Sequence, residues 1–146
     1  MNSEHSDFSG LAYDDSERTC PSYYLWDSVS KIIKEELSKG DRIFEIGCGN
    51  GATSGMLLEL GYDVIGIDPS KSGIEIARVT HPGGRFEVGS AYDDLASQYG
   101  RFPLVISLEV VEHCYWPRKF ARCIFDLLEP GGTAMISTPY HGYLKN

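Results

Sequence analysis

The sequence predicts an α/β fold: a doubly wound, mainly parallel sheet of about five strands flanked by helices. Three observations predict it. Short, near-continuous apolar runs alternate with helical patterns from residue 42 onward, and strands apolar on both faces belong in a sheet covered on both sides. A glycine-rich run joins the first of these strands to the next helix. The 146 residues, 42% of them hydrophobic, suffice for one domain with one core.

Residues 1–21 are polar and aperiodic, which reads as a flexible N-terminal arm ahead of a domain over 22–146. Ser22 can cap a helix from Tyr23 to about Lys39, with Leu25, Val29, Ile32 and Ile33 on one face and Gly40 ending it. Arg42 to Ile46 is the first strand. Ala52 to Leu60 is helical and stops at Gly61. Tyr62 to Ile67 is the second strand, and Ser70 caps a helix that runs to about Val79. His81-Pro82-Gly83-Gly84 breaks that helix, and Arg85 to Val88 is the third strand. Tyr92 to Tyr99 is a short helix. Leu104 to Leu108 is the fourth strand, apolar except for Ser107. Pro117 suits a first helical turn, and Phe120, Cys123, Ile124, Leu127 and Leu128 form an apolar stripe behind it. Glu129-Pro130-Gly131-Gly132 reads as a turn before a fifth strand, Thr133 to Thr138.

The formal charge of −8 makes nucleic acid and anionic membranes poor partners, because both repel an acidic chain. No window approaches the roughly 18 apolar residues of a membrane span. No basic stretch leading into an apolar run opens the chain, so no secretory leader is expected. Cys20, Cys48, Cys114 and Cys123 form no C-x-x-C pair. Reduced thiols and a cytoplasmic location follow as the expectation.

The run Glu45-Ile46-Gly47-Cys48-Gly49-Asn50-Gly51 follows the first strand and opens a helix. Glycines there let the backbone turn sharply and approach a ligand, and free N–H groups at the helix start can meet its polar atoms. Asp68 ends the second strand about 20 residues further on, where a carboxylate can accept hydrogen bonds from ribose hydroxyls. Together they describe a Rossmann-like nucleoside site. Gly47, Gly49 and Ala52 also satisfy the dinucleotide pattern G-x-G-x-x-G/A, so the nucleoside itself stays open at this point.

From Arg42 to Thr138 the chain resembles class I S-adenosylmethionine methyltransferases. The glycine loop looks like their first motif, and Asp68 like their ribose-binding acid. Gly89-Ser90-Ala91-Tyr92 stands where relatives frame the adenine. Leu104 to Glu109 looks like the fourth-strand motif, and Leu128-Glu129-Pro130-Gly131-Gly132 like the L-x-P-G-G turn. Within the class, Glu109-Val110-Val111-Glu112-His113 is similar to the E-x-x-E-H run of the ubiquinone-biosynthesis O-methyltransferases. The resemblance implies S-adenosylmethionine as cofactor, S-adenosylhomocysteine as product, and a small-molecule acceptor, with a hydroxyl oxygen the first candidate. It implies cofactor contacts from Glu45, Gly47, Cys48, Gly49, Gly51, Asp68, Pro69 (or Ile67), Ala91, Tyr92 and Leu108. Glu109, Glu112 and His113 become the catalytic candidates, either holding a divalent metal that acidifies a phenol or with His113 as general base. Tyr23, Tyr24 and Trp26 are candidates to cover the cofactor, though core packing explains Trp26 more simply. Tyr140 and His141 are candidates to touch the acceptor.

Two departures stand out. Ser90 replaces an Asp that relatives often carry at the adenine. The sequence ends at Asn146, soon after strand five, where the family usually adds two more strands. An uncovered strand-five edge invites pairing with another copy, so the expectation is a homodimer or a fragment of a longer protein. The alternatives are an NAD-binding oxidoreductase domain, which shares the loop and Asp68, and a non-catalytic nucleoside-binding module.

Overall fold

A computed structural model describes residues 20–139, with side chains from Tyr24 onward. Five strands form one parallel sheet: β1 (Arg42–Ile46), β2 (Asp63–Asp68), β3 (Arg85–Val88), β4 (Phe102–Leu108) and β5 (Leu128–Ser137). Their spatial order is β3-β2-β1-β4-β5. The order reverses between β1 and β4, and in such sheets ligands bind outside the carboxyl ends of the strands at that switch point. The helices are α1 (Cys20–Glu36), α2 (Ala52–Glu59), α3 (Lys71–Thr80), α4 (Leu95–Tyr99) and α5 (Pro117–Leu127).

Side-chain alternation along the strands divides the core into layers. Ile43, Val64, Leu104 and Ile106 face one side, where they meet Val29 and Ile33 of α1 and Leu57 of α2. Phe44, Ile46, Ile65, Ile67 and Val105 face the other, under Leu95, Phe120, Cys123, Ile124 and Leu127. A smaller cluster of Cys48, Ile74, Ala77 and Phe86 seats α3. The α5 stripe therefore packs as read, with Leu128 only partly covered.

Several boundaries differ from the sequence reading, among them β2, which runs Asp63–Asp68 instead of Tyr62 to Ile67, and β4, which starts at Phe102 instead of Leu104. Helix α1 starts at Cys20, so Cys20 and Pro21 leave the predicted arm and Ser22 is not its cap; proline fits a first helical turn because no donor is needed there. Residues 1–19 lie outside the described residues. The helix ends at Glu36, Ile32 turns outward at 42% exposure, and Gly40 makes a turn at φ +88°. The short fourth helix begins at Leu95 rather than Tyr92, because Asp94 caps it by accepting from the Ser97 N–H. Strand β5 begins at Leu128, not Thr133. Leu128 pairs with Phe102 and Thr133 with Leu104, so Glu129-Pro130-Gly131-Gly132 bulges out within the strand. No helix among the described residues is long and apolar enough to cross a membrane.

Candidate functional site

The ends of β1, β2 and β4 converge on the glycine loop. Gly47 turns at φ +78°, and a Cβ there would collide with Val110 just past β4. Only glycine allows both the turn and that contact. Gly51 precedes α2 at φ +82°, where a Cβ would lie 2.8 Å from the Ala77 Cβ of α3. Gly51 has no side chain to cap α2, and the Asn50 Oδ1 accepts the Ala52 N–H instead, at 3.2 Å. The Cys48 side chain points down into the α3 cluster, so its backbone is the part a ligand can meet. Burial pushes its thiol well up, with Glu45 and Asp68 adding to the shift.

Asp68 is 8% exposed and is held by two backbone donors. The Gly49 N–H reaches its Oδ2 at 2.9 Å, and the Ser70 N–H reaches its Oδ1 at 2.8 Å. The carboxylate thus ties the glycine loop to the start of α3. Each oxygen keeps a second acceptor position. Burial raises its pKa, while the two N–H donors pull it back down. Glu45 is more deeply buried, at 2%. Its parity along β1 matches Ile43, so it faces α2, where the Ser54 hydroxyl donates to it. Burial pushes Glu45 up to about 7; the Asp68 charge adds to the shift and the Ser54 bond opposes it.

The segment after β3 is a compact turn. The Gly89 N–H donates to the Asp68 carbonyl at 3.1 Å, and the Ser90 N–H donates to Asp93 Oδ2 at 2.7 Å. The Ser90 hydroxyl accepts the Tyr92 N–H at 3.2 Å. Ala91 is buried against Ile67, and Pro69 is half-buried beside Asp68. The buried Ile67 belongs to the α5-side core.

Beyond Leu108, which is half-buried, the backbone changes direction sharply. Glu109 has φ +57°, the one non-glycine residue with positive φ among the described residues. Its conformation is held by Ser137 of β5. The Ser137 hydroxyl accepts the Glu109 N–H at 3.1 Å and donates to Glu109 Oε1 at 2.6 Å. Strain maintained in this way concentrates at functional sites. Residues Val111–His113 form a single 3-10 turn. His113 Nε2 lies 3.9 Å from Glu112 Oε1, and the His113 side chain is 65% exposed.

Among the described residues no three His, Cys, Asp or Glu side chains gather into a group that could hold a metal ion. Glu109 is turned toward β5, while Glu112 and His113 pair with each other. These three residues do not fit a metal in this arrangement.

Of the aromatic residues on α1, Trp26 packs against the α1–α2 side of the core and Tyr24 is exposed. The Tyr23 side chain, Tyr140 and His141 lie outside the described residues. Three serines were missed by the sequence reading. Ser54 holds Glu45, Ser137 holds Glu109, and Ser107 donates to the Ile46 carbonyl at 2.9 Å, where the β1–β4 pairing has ended. Ser107 did leave a signal, as the lone hydroxyl in an apolar strand.

This fold and site define the class I, Rossmann-like methyltransferase scaffold. The chain belongs to the methyltransferase domain family, which matches it over residues 17–145. It is 32% identical over 127 residues to a ubiquinone biosynthesis O-methyltransferase of Cereibacter sphaeroides, covering 82% of this chain and 51% of that one. The chain thus spans about half the length of the curated relatives it matches. A TehB-like S-adenosylmethionine-dependent methyltransferase from Corynebacterium glutamicum superposes with a TM-score of 0.67 at 24% identity, over 78% of this chain and 68% of that one. The S-adenosylmethionine-bound amino pentose methyltransferase CalS10 from Micromonospora echinaspora gives 0.69 at 20% identity, over 87% of this chain and 54% of that one. The two structures share the fold. Family membership sets the NAD-binding oxidoreductase alternative aside.

Proposed function

We propose that this chain binds S-adenosylmethionine at the carboxyl ends of β1, β2 and β4 and directs its methyl group to a small-molecule acceptor, a hydroxyl oxygen first among the candidates. The observation that carries this reading is Asp68: a buried carboxylate already fastened to the glycine loop, with an acceptor position left on each oxygen. Such a group is prepaid for binding vicinal hydroxyls, because the protein has already desolvated and oriented it.

Under this reading Asp68 holds the ribose hydroxyls. The backbones of Gly47, Cys48, Gly49 and Gly51 meet the methionine portion, and Glu45 fixes the loop from behind through Ser54. Pro69 lies on one face of the adenine, with Ala91 and Tyr92 framing the other side. Leu108 and Glu109 line the floor near the reacting centre. The cofactor supplies a methyl carbon on a positively charged sulfur, and the acceptor displaces that sulfur in line. The chain's task is alignment, which shortens the search for a reactive geometry. His113, paired with Glu112, stands as the base that takes the acceptor proton.

The free thiols and the outer edge of the sheet suggest the setting. Cys48, Cys114 and Cys123 are free thiols, in keeping with a reducing, cytoplasmic location. The acidic charge argues against a nucleic-acid partner. Strand β5 ends the sheet among the described residues, and its free edge suits a second copy of the chain.

The test is calorimetric titration with S-adenosylmethionine and S-adenosylhomocysteine, with NADH as control. Micromolar binding of the sulfur nucleosides is expected. A folded sample that binds neither would overturn the reading. Binding without turnover across phenols, amines and acids would favour the non-catalytic nucleoside-binding module.

A further inference from the structure

We infer that Tyr92 is a positioning residue that links the cofactor's adenine seat to the acceptor-side turn over residues 110–116. The inference rests on the cofactor reading above and extends it. Tyr92 follows Ala91 in the turn after β3, and its backbone N–H is fixed by the Ser90 hydroxyl at 3.2 Å. Its side chain does not stay in that turn. It crosses to the segment beyond β4, where the Tyr92 hydroxyl accepts the Trp116 N–H at 3.3 Å. The same hydroxyl lies against the Cys114 thiol and the Tyr115 backbone. The rings of Tyr92 and Trp116 meet edge to face, with centroids 5.3 Å apart.

Elsewhere in the acceptor-side turn, Val110, Val111 and Cys114 lie half-buried against the α5-side core, and the Trp116 carbonyl accepts the Lys119 and Phe120 N–H groups where α5 begins. The 3-10 turn is one turn long and buries no residue. Cys114 Sγ donates to the Val110 carbonyl at 3.6 Å, a weak bond. Tyr115 and Trp116 are exposed, and Lys119 sits over the Trp116 ring at 4.5 Å. Val110, at the other end of the turn, rests on Gly47 of the glycine loop. Besides that packing, the turn touches at one end the loop that would hold the methionine portion and at the other the residue that would frame the adenine. A ligand that settles both seats reduces the freedom of the turn between them. Ordering of that kind lowers the cost of a second binding event at the ordered element. Cofactor first, acceptor second is the sequence of binding that follows.

The chain has two tryptophans, Trp26 and Trp116, so fluorescence can read the link. The signal change on adding S-adenosylhomocysteine is measured in the unmodified chain, and the part lost in Trp116→Phe is assigned to Trp116. That variant keeps the hydrogen bond, because the donor is backbone. Tyr92→Phe keeps the ring contact and removes the acceptor. At nucleoside concentrations that calorimetry shows to saturate each protein, it is expected to lose most of the Trp116 change. An equal Trp116 change in Tyr92→Phe overturns the inference, as does bound nucleoside with no Trp116 change in the unmodified chain. Hydrogen exchange needs no variant and keeps the test decisive if Tyr92→Phe misfolds: the nucleoside should slow exchange over residues 110–116, and unchanged exchange there overturns the link. Failure of the nucleoside to bind at all is a separate result, which removes the cofactor reading and this inference with it.

Discussion

Glu45 and Asp68 are buried behind the glycine loop, close enough that the charge of one raises the pKa of the other. The two are held differently. Asp68 meets two backbone N–H groups, while Glu45 meets one hydroxyl. For Asp68 the consequence concerns binding. Asp68→Ala removes the acceptor for the ribose and also strands the Gly49 and Ser70 donors. Affinity for S-adenosylhomocysteine should fall by about 1–3 kcal/mol, the order for lost hydrogen bonds to a charged group, and unchanged calorimetric affinity would take Asp68 out of the site. For Glu45 the consequence concerns stability. Its folded pKa of about 7 lies above the ordinary value of 4.5. The folded state therefore holds the proton more tightly than the unfolded chain, so its contribution is complete below pH 4.5 and is lost as the pH rises through about 7. Relative to Glu45→Gln, the unmodified chain should lose about 3 kcal/mol of stability from acid to pH 8, at 1.36 kcal/mol for each pKa unit. Urea unfolding of both proteins at pH 5 and pH 8 measures the difference; a constant offset would mean that Glu45 titrates as an ordinary carboxylate. A third expectation concerns Ser107. Its hydroxyl is the partner of the buried Ile46 carbonyl. Ser107→Ala should lower unfolding stability by about 1–3 kcal/mol, the cost of an unsatisfied buried acceptor.

Helices α2 and α3 show how the loop depends on the elements behind it. Gly51 sits at the α2 start with Ala77 against it, so Gly51→Ala meets both a left-handed φ and a close contact. A thermal or urea melt should show a loss of about 1–3 kcal/mol, as for a residue forced into a sparsely populated backbone region. A neutral result would mean that α3 can retreat. The strands of this sheet were legible because each is a short apolar run bounded by Gly, Pro or charge, and β1 and β3 fall at the residues read. Other features were hidden for definite physical reasons. Pro21 and Ser22 look like a boundary and a cap, yet both are tolerated inside a first helical turn. Pro130-Gly131-Gly132 has turn chemistry, and only the pairing of Leu128 with Phe102 shows that the turn is a bulge inside β5. The E-x-x-E-H spacing would place its acids and imidazole together on a continuous helix. Here the chain turns sharply at Glu109, so the 3-10 turn starts two residues later and Glu109 parts from the Glu112–His113 pair. The Ser137 contact that holds Glu109 comes from 28 residues away and depends on the β4–β5 register, which no local pattern encodes.

At the scale of the whole molecule, the sheet of the described residues ends in two unlike edges, β3 and β5. Strand β3 is short and charged, with Arg85 and Glu87 paired across its surface. Such an edge discourages further strand pairing. Strand β5 is the opposite case: long, parallel to β4, and with Ile136 47% exposed on the face that α5 leaves uncovered. Met135 turns the other way, against the α1–α2 side of the core. A second copy laid along β5 would pair with its outer backbone groups and lie beside the exposed Ala134 and Ile136. The net charge of −8 opposes that association at long range, so dimerisation should strengthen as salt screens it over the ~8–10 Å Debye length of physiological buffer. Ile136→Lys places a charge on the exposed face of the edge strand, a substitution that keeps natural sheet edges apart. Light scattering coupled to size exclusion should then find the unmodified chain dimeric at high concentration and Ile136→Lys monomeric, with the two binding S-adenosylhomocysteine alike because Ile136 lies outside the nucleoside half of the site. A monomeric unmodified chain at every salt concentration would remove the edge-pairing proposal and leave the cofactor site untouched.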